Sequence, residues 1–102
     1  MDRFSEMMVF VRVVEDGSFS SAGRTLSLTP SAISKLITRL EERLGARLFH
    51  RSSRTVALTS EGEAYYAGAQ RALEAVEEAE AVSLDYARQV ILRDRNTVLS
   101  KG

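Results

Sequence analysis

The chain has 102 residues, of which 44% are hydrophobic and 27% charged, so we expect one small folded unit with an appended element. It contains no cysteine and a single histidine, which excludes a disulfide framework, a thiolate metal site and a multi-histidine metal site. The formal net charge is zero, but residues 1–60 (the head) carry +3 and residues 61–102 carry −3, a split that fits either a polyanion-binding head or a solvated mixed surface.

Two helices are predicted before residue 27. Apolar residues recur at steps of three and four over residues 4–15, which predicts an amphipathic helix. Its buried face is predicted to consist of Phe4, Met7, Met8, Val11 and Val14, widened by Phe10 and Val13. Gly17 is expected to end this helix, and Ser18 to cap a short second one. The small residues Ala22 and Gly23 would allow another helix to approach the second helix closely.

A third helix is predicted from Pro30 to about Leu44, because Thr29 can cap it and proline suits a first helical position. On a helical wheel of about 100° per residue, one face is apolar and the opposite face is polar. The polar face consists of Ser31, Ser34, Lys35 and Thr38. Such side chains can bind base edges or phosphates. Glu41 and Glu42 are interpreted as the point at which the helix leaves a DNA groove.

In the segment from residue 47 to residue 59, "RLFHRSSRTVALT", the apolar residues Leu48 and Phe49 precede a polar turn, and Val56 and Leu58 follow it two positions apart. This pattern predicts a short β-hairpin, which we call the wing. Arg51 and Arg54 would lie near its tip, where arginines can enter a minor groove or bind flanking phosphates. The alternative is a charged loop that serves only solubility.

Residues 61–90 are predicted to form a long helix, rich in Ala and Glu, with Thr59 or Ser60 as its cap. One apolar row, Tyr66, Ala69, Leu73 and Val76, is expected to pack on the head. A second row is predicted to meet a partner helix, and it consists of Tyr65, Gly68, Ala72, Ala75, Ala79, Val82 and Tyr86. A lone solvated helix is the alternative. Residues 91–102 lose the pattern, so the sequence predicts no definite structure for this tail.

Enzymatic chemistry is poorly supported. His50 is the only histidine, and no Gly-rich phosphate loop occurs. Glu61 and Glu63 are two positions apart on a helix start, so they do not face each other as an acid–base pair. We therefore expect no enzyme, no metal and no cofactor.

The motifs "GSFSSAG", "TPSAISKLITRLEERLG", "RLFHR" and "LTSEG" occur in order. Over about residues 2–90 the chain resembles the N-terminal DNA-binding region of LysR-type transcriptional regulators. The resemblance implies a mostly α-helical fold: a winged helix-turn-helix of three helices and a β-hairpin in residues 1–60, then a linker helix that pairs in a homodimer. Carried over to this chain, the DNA-contacting positions are Thr29, Pro30, Ser31, Ser34, Lys35, Thr38, Arg51 and Arg54.

Two departures from the family pattern affect what the resemblance implies. Many members have Gln followed by Pro where this chain has Pro30 and Ser31, so base preference should depend on Ser31, Ser34, Lys35 and Thr38. Members usually continue into a ligand-sensing domain, which is absent here, so we expect no effector on this chain.

The resemblance implies a cytoplasmic, nucleoid-associated regulator whose partners are double-stranded operator DNA with dyad symmetry and a second copy of the chain. The alternative function is a protein-interaction module that uses the helix of residues 61–90. The wheel, the wing arginines and the family motifs favour DNA binding.

Overall fold

The computed structural model describes residues 2–51 and 55–101, and it describes side chains as far as Gln89 except those of Leu84, Asp85 and Ala87. Four helices follow one another along the chain. They are α1 (Arg3–Asp16), α2 (Phe19–Leu26), α3 (Pro30–Leu44) and α4 (Ser60–Lys101). Two compact units are present, Met1–Gln70 and Arg71–Gly102. In the first unit α1, α2 and α3 pack against one another.

The helix starts follow the predicted caps. Thr29 Oγ1 accepts a hydrogen bond from the backbone N–H of Ala32 at 3.1 Å, and Pro30 is the first residue of α3. Ser18 Oγ accepts from Ser21 N at 3.0 Å at the start of α2. Each cap satisfies an N–H group that the helix itself leaves without an acceptor. The predicted caps of α2 and α3 are therefore confirmed.

The turn between α2 and α3 explains why residue 23 is glycine. A Cβ at Gly23 would lie 2.4 Å from the carbonyl oxygen of Leu28. The same two residues share a hydrogen bond, from Leu28 N to Gly23 O at 2.8 Å, and Ser27 adopts a left-handed conformation at φ 58°. The space at Gly23 is filled by the backbone of the turn that leads into α3, and Ala22, the other small residue, is fully buried.

The core of the first unit is formed by all of its elements. Its largest fully buried side chains are Phe10, Val13, Ile33, Ile37, Leu40 and Leu48. The ring of Phe10 lies 5.3 Å from that of Phe49 and 5.0 Å from that of Tyr65, measured between centroids. Phe10 therefore connects α1 with the wing and with the start of α4.

The predicted buried face of α1 is partly wrong. Phe4 and Met8 are 42% and 44% exposed, whereas Val9, Phe10 and Val13 are buried. On a helical wheel Phe4 and Met8 lie about 120–160° away from Phe10. Because the other elements of this unit pack around Phe10, both side chains point away from the core.

The wing is less regular than a two-stranded hairpin. Within the described residues it contains one isolated antiparallel bridge, between Phe49 and Leu58, and no β-strand. His50 N donates to Ala57 O at 2.9 Å, and Thr59 N donates to Leu48 O at 3.0 Å. The predicted β-hairpin is therefore not confirmed, and the pairing described is confined to a few residues at the base of the wing.

Helix α4 begins against the base of the wing. Thr59 Oγ1 accepts from Gly62 N at 2.9 Å and donates to Arg47 O at 2.6 Å, so Thr59 rather than Ser60 is the cap. A Cβ at Gly62 would lie 2.1 Å from Leu48 O, which explains the glycine. The helical backbone continues to Lys101, through the segment for which the sequence predicted no definite structure.

Candidate nucleic-acid interface

Helix α3 separates an apolar face from a polar face as the wheel predicts. Its core side is buried at Ile33, Leu36, Ile37 and Leu40. On the other side Ser31, Lys35 and Thr38 are exposed, and Ser34 is half-buried. Thr29 and Pro30 are exposed at the helix start. The structure thus brings six of the eight predicted DNA-contacting residues to one end and face of α3.

A shallow concavity runs along this polar face. It is lined by Ser34, Lys35, Thr38, Arg39 and Glu42. Arg39 is exposed and lies one helical turn after Lys35, so a second cation shares the surface. Sequence reasoning did not select Arg39, although its spacing from Lys35 would have indicated it. The two cations can bind phosphate oxygens while the hydroxyl groups remain available to base edges.

Glu41 does not mark the point where α3 leaves a groove, and that interpretation is wrong. Its side chain is 5% exposed. Glu41 Oε2 accepts hydrogen bonds from Leu48 N at 2.8 Å and from Phe49 N at 3.4 Å, and Oε1 pairs with the guanidinium of Arg51. The carboxylate is turned inward because the start of the wing supplies these donors. Glu42, in contrast, is exposed.

Of the two predicted wing arginines, the structure describes Arg51, while Arg54 lies outside the described residues. The Arg51 side chain is 40% exposed although it is paired with Glu41. One nitrogen, Nη2, contacts the carboxylate. A guanidinium has five N–H donors, so among the described residues the contact with Glu41 leaves Arg51 with donors for another acceptor.

The two apolar rows of α4 are not separated as predicted. Ala69 is buried, as expected for the row that faces the head, but Tyr65 of the other row also packs on Phe10. Burial raises the pKa of the Tyr65 hydroxyl, and the nearby positive charge of Arg43 offsets part of the rise. The side chain of Tyr65 is therefore already engaged with the core of its own chain.

In the second unit, the predicted partner-facing row remains accessible. Val82 and Tyr86 are 62% and 65% exposed, and Ala75 and Ala79 are exposed as well. Val76, from the row expected to face the head, is 36% exposed. Apolar side chains at this spacing on one helix are typical of a surface that packs on a partner.

Within residues 2–51 and 55–101, no three potential metal ligands of the His, Cys, Asp and Glu types cluster together. None of the described helices has a stretch apolar enough to cross a membrane.

Comparison with known proteins points to one family. Residues 4–63 match the family model described as bacterial regulatory helix-turn-helix protein, lysR family. The chain is 44% identical over 90 residues to the HTH-type transcriptional regulator CrgA of Neisseria meningitidis serogroup C (strain 8013), covering 86% of this chain and 30% of CrgA. The chain thus spans about a third of the length of this curated relative.

Two solved structures are also similar to the chain. A complex of the BenM DBD with catB site 1 DNA has a TM-score of 0.79 and 34% identity, covering 85% of this chain and 97% of that one. A complex of the CbnR DBD with DNA has a TM-score of 0.75 and 31% identity, covering 85% and 99%. Both neighbours thus combine a similar fold with bound DNA.

Proposed function

Because the chain belongs to the lysR family of bacterial regulatory helix-turn-helix proteins, we propose that it binds a specific double-stranded DNA sequence and thereby regulates transcription. In this proposal α3 enters the major groove and the wing contacts the flanking minor groove or backbone. The DNA complexes of the similar BenM and CbnR domains support it.

The observation that carries the proposal is the polar face of α3, opposite a buried apolar face and at the start of a capped helix. The helix N-terminus adds a partial positive charge, which favours phosphate. The proposed DNA-binding residues are Thr29, Pro30, Ser31, Ser34, Lys35, Thr38, Arg51 and Arg54. Pro30 has no N–H to donate, so its part is to start the helix and pack against the groove.

The proposed assembly is a homodimer on an inverted repeat. Residues 1–60 would bind DNA, and the helix of residues 61–90 would pair with its copy, with no role assigned to residues 91–102. The exposure of Val82 and Tyr86 supports this pairing. A homodimer presents two recognition helices related by a two-fold axis, which matches an operator of dyad symmetry. We place this activity in the cytoplasm, on the nucleoid.

Replacement of Lys35 and Arg54, two of the proposed DNA-binding residues, tests the proposed site. Lys35→Ala should weaken binding to the DNA upstream of the chain's own gene by about 1–3 kcal/mol if Lys35 contacts a base. The Lys35→Ala, Arg54→Ala double variant should lose more. An Arg3→Ala, Arg71→Ala variant removes the same charge from exposed positions elsewhere and should bind nearly as well as the parent. Equal affinity of the parent and the Lys35, Arg54 variant would refute the assignment.

A second candidate function is protein interaction through α4, favoured by the exposed apolar side chains at Val82 and Tyr86. In that case the first unit would be a scaffold. Duplex DNA at low salt separates the two candidates, because phosphate contacts are strongest there. Binding at low salt supports DNA recognition, and its absence supports the protein-interaction function.

A further inference from the structure

Glu41 joins α3 to the first residues of the wing. Its carboxylate is 5% exposed and accepts hydrogen bonds from two consecutive backbone N–H groups, those of Leu48 and Phe49. The remaining oxygen pairs with Arg51. A buried carboxylate is stable only when its charge is compensated in this way. The hydrogen bonds from Leu48 and Phe49 fix the position of the first wing residues relative to α3. The contact with Arg51 fixes the position of the guanidinium that follows them.

The contact with Glu41 orients the guanidinium of Arg51 and leaves part of the side chain exposed to solvent. The guanidinium contacts Glu41 through Nη2, and 40% of the side chain remains exposed. A planar guanidinium that is already oriented loses less freedom when its other N–H groups bind a phosphate. The pairing therefore prepares Arg51 for an anionic ligand, at a defined position relative to α3.

We propose that Glu41 is a positioning residue for DNA binding, which sets the direction of Arg51 and the base of the wing so that they and α3 engage one duplex. The inference rests on the proposed function of the chain. In this proposal the acidic residue Glu41 favours the binding of DNA, a polyanion. Glu41 does so by orienting Arg51 and does not contact the DNA itself.

The sign of the effect makes the inference testable. An acid near bound DNA normally weakens binding by repulsion, so its neutralisation should strengthen binding. Glu42 is exposed on the same helix and should behave in this way. Glu41 should do the opposite, because its loss releases Arg51. Glu41→Gln and Glu42→Gln remove the same charge from adjacent positions and form a matched pair.

The experiment measures the affinity of the full chain for a fluorescently labelled, mixed-sequence DNA duplex at low salt. Glu42→Gln should bind more tightly than the parent, by up to about twofold, and Glu41→Gln about tenfold more weakly. If both variants bind more tightly than the parent, the positioning role of Glu41 is refuted while DNA binding stands. If the parent does not bind duplex DNA, the proposed function itself fails.

A double-mutant cycle tests whether Glu41 acts through Arg51. Once Arg51 is replaced by Ala, the further change Glu41→Gln should alter DNA affinity by less than about twofold. A purely structural role would give the same further loss with or without Arg51. Circular dichroism verifies that each variant is folded.

If Glu41→Gln is unfolded, the side-chain ¹⁵N signal of Arg51 in the parent provides the test. The inference requires a protected Arg51 N–H in the free chain and a shifted signal when duplex is added. An Arg51 signal that duplex leaves unchanged would overturn it.

Discussion

Arg43 donates two hydrogen bonds to one oxygen of Glu6, from Nε at 3.3 Å and from Nη2 at 3.1 Å. The two residues are 37 positions apart and connect α3 to α1. Glu6 is 7% exposed, whereas the side chain of Arg43 is 31% exposed. The pair is thus a charged contact between helices, placed at the edge of the core.

Replacement of Glu6 by Ala should destabilise the fold by about 1–3 kcal/mol, because Arg43 loses its acceptor at a partly buried site. Urea denaturation followed by circular dichroism measures the change. Glu15→Ala removes the same charge from an exposed position of α1 and should stay within about 0.5 kcal/mol of the parent. Equal unfolding midpoints for the Glu6 and Glu15 variants would contradict a stabilising pair.

Gly62→Ala should destabilise the chain even though alanine favours helices. The new Cβ would lie 2.1 Å from Leu48 O, so α4 or the base of the wing must shift. We expect a loss of about 1–3 kcal/mol in urea denaturation. The control Ala64→Gly, at an exposed position of the same helix, measures the effect of helix propensity alone. It should lower the free energy of unfolding by about 1 kcal/mol. A Gly62→Ala variant more stable than the parent would rule out the close contact with Leu48.

Stability should fall at alkaline pH partly because of Tyr65. Burial raises the pKa of its hydroxyl above the ordinary value of 10.0, so the unfolded chain loses this proton first. The contribution of Tyr65 to the free energy of unfolding is complete below pH 10.0 and is lost as pH rises through the pKa of its hydroxyl in the folded state. Tyr65→Phe should flatten the alkaline part of a plot of unfolding free energy against pH. Tyr66→Phe is the control, and an equal effect of the two variants would argue against a specific role of Tyr65.

Val82→Glu should weaken the proposed dimerisation through α4. A charge in an apolar interface costs more than about 1.4 kcal/mol, so the dissociation constant should rise at least about tenfold. Sedimentation at high micromolar concentration measures the assembly. Ala81→Glu adds the same charge to an exposed residue off the predicted row and should leave the dimer intact. A parent chain that sediments as a monomer would contradict the proposed pairing.

The caps and the polar face of α3 could be predicted from the sequence because they depend on residues within one helix. Thr29 and Pro30 start the helix through contacts spanning three positions, and the wheel places Lys35 opposite Ile33 without knowledge of the rest of the fold. Such features need only local geometry.

The role of Glu41 could not be predicted in this way. It depends on backbone N–H groups seven and eight positions later, in a segment whose path is set by tertiary packing. The predicted buried face of α1 is partly wrong for a related reason. Spacing shows which residues share a face, but only the position of the packing partners decides that Phe10 is buried and Met8 is exposed.

The dependence of DNA affinity on salt tests the central claim most directly. The measurement is the affinity of the parent chain for a labelled DNA duplex over a series of salt concentrations. DNA recognition through the face of α3 and the wing predicts binding at low salt, with log affinity falling by about 0.9 per unit of log salt for each phosphate contact. Absence of binding at low salt, or an affinity that does not change with salt, would contradict it.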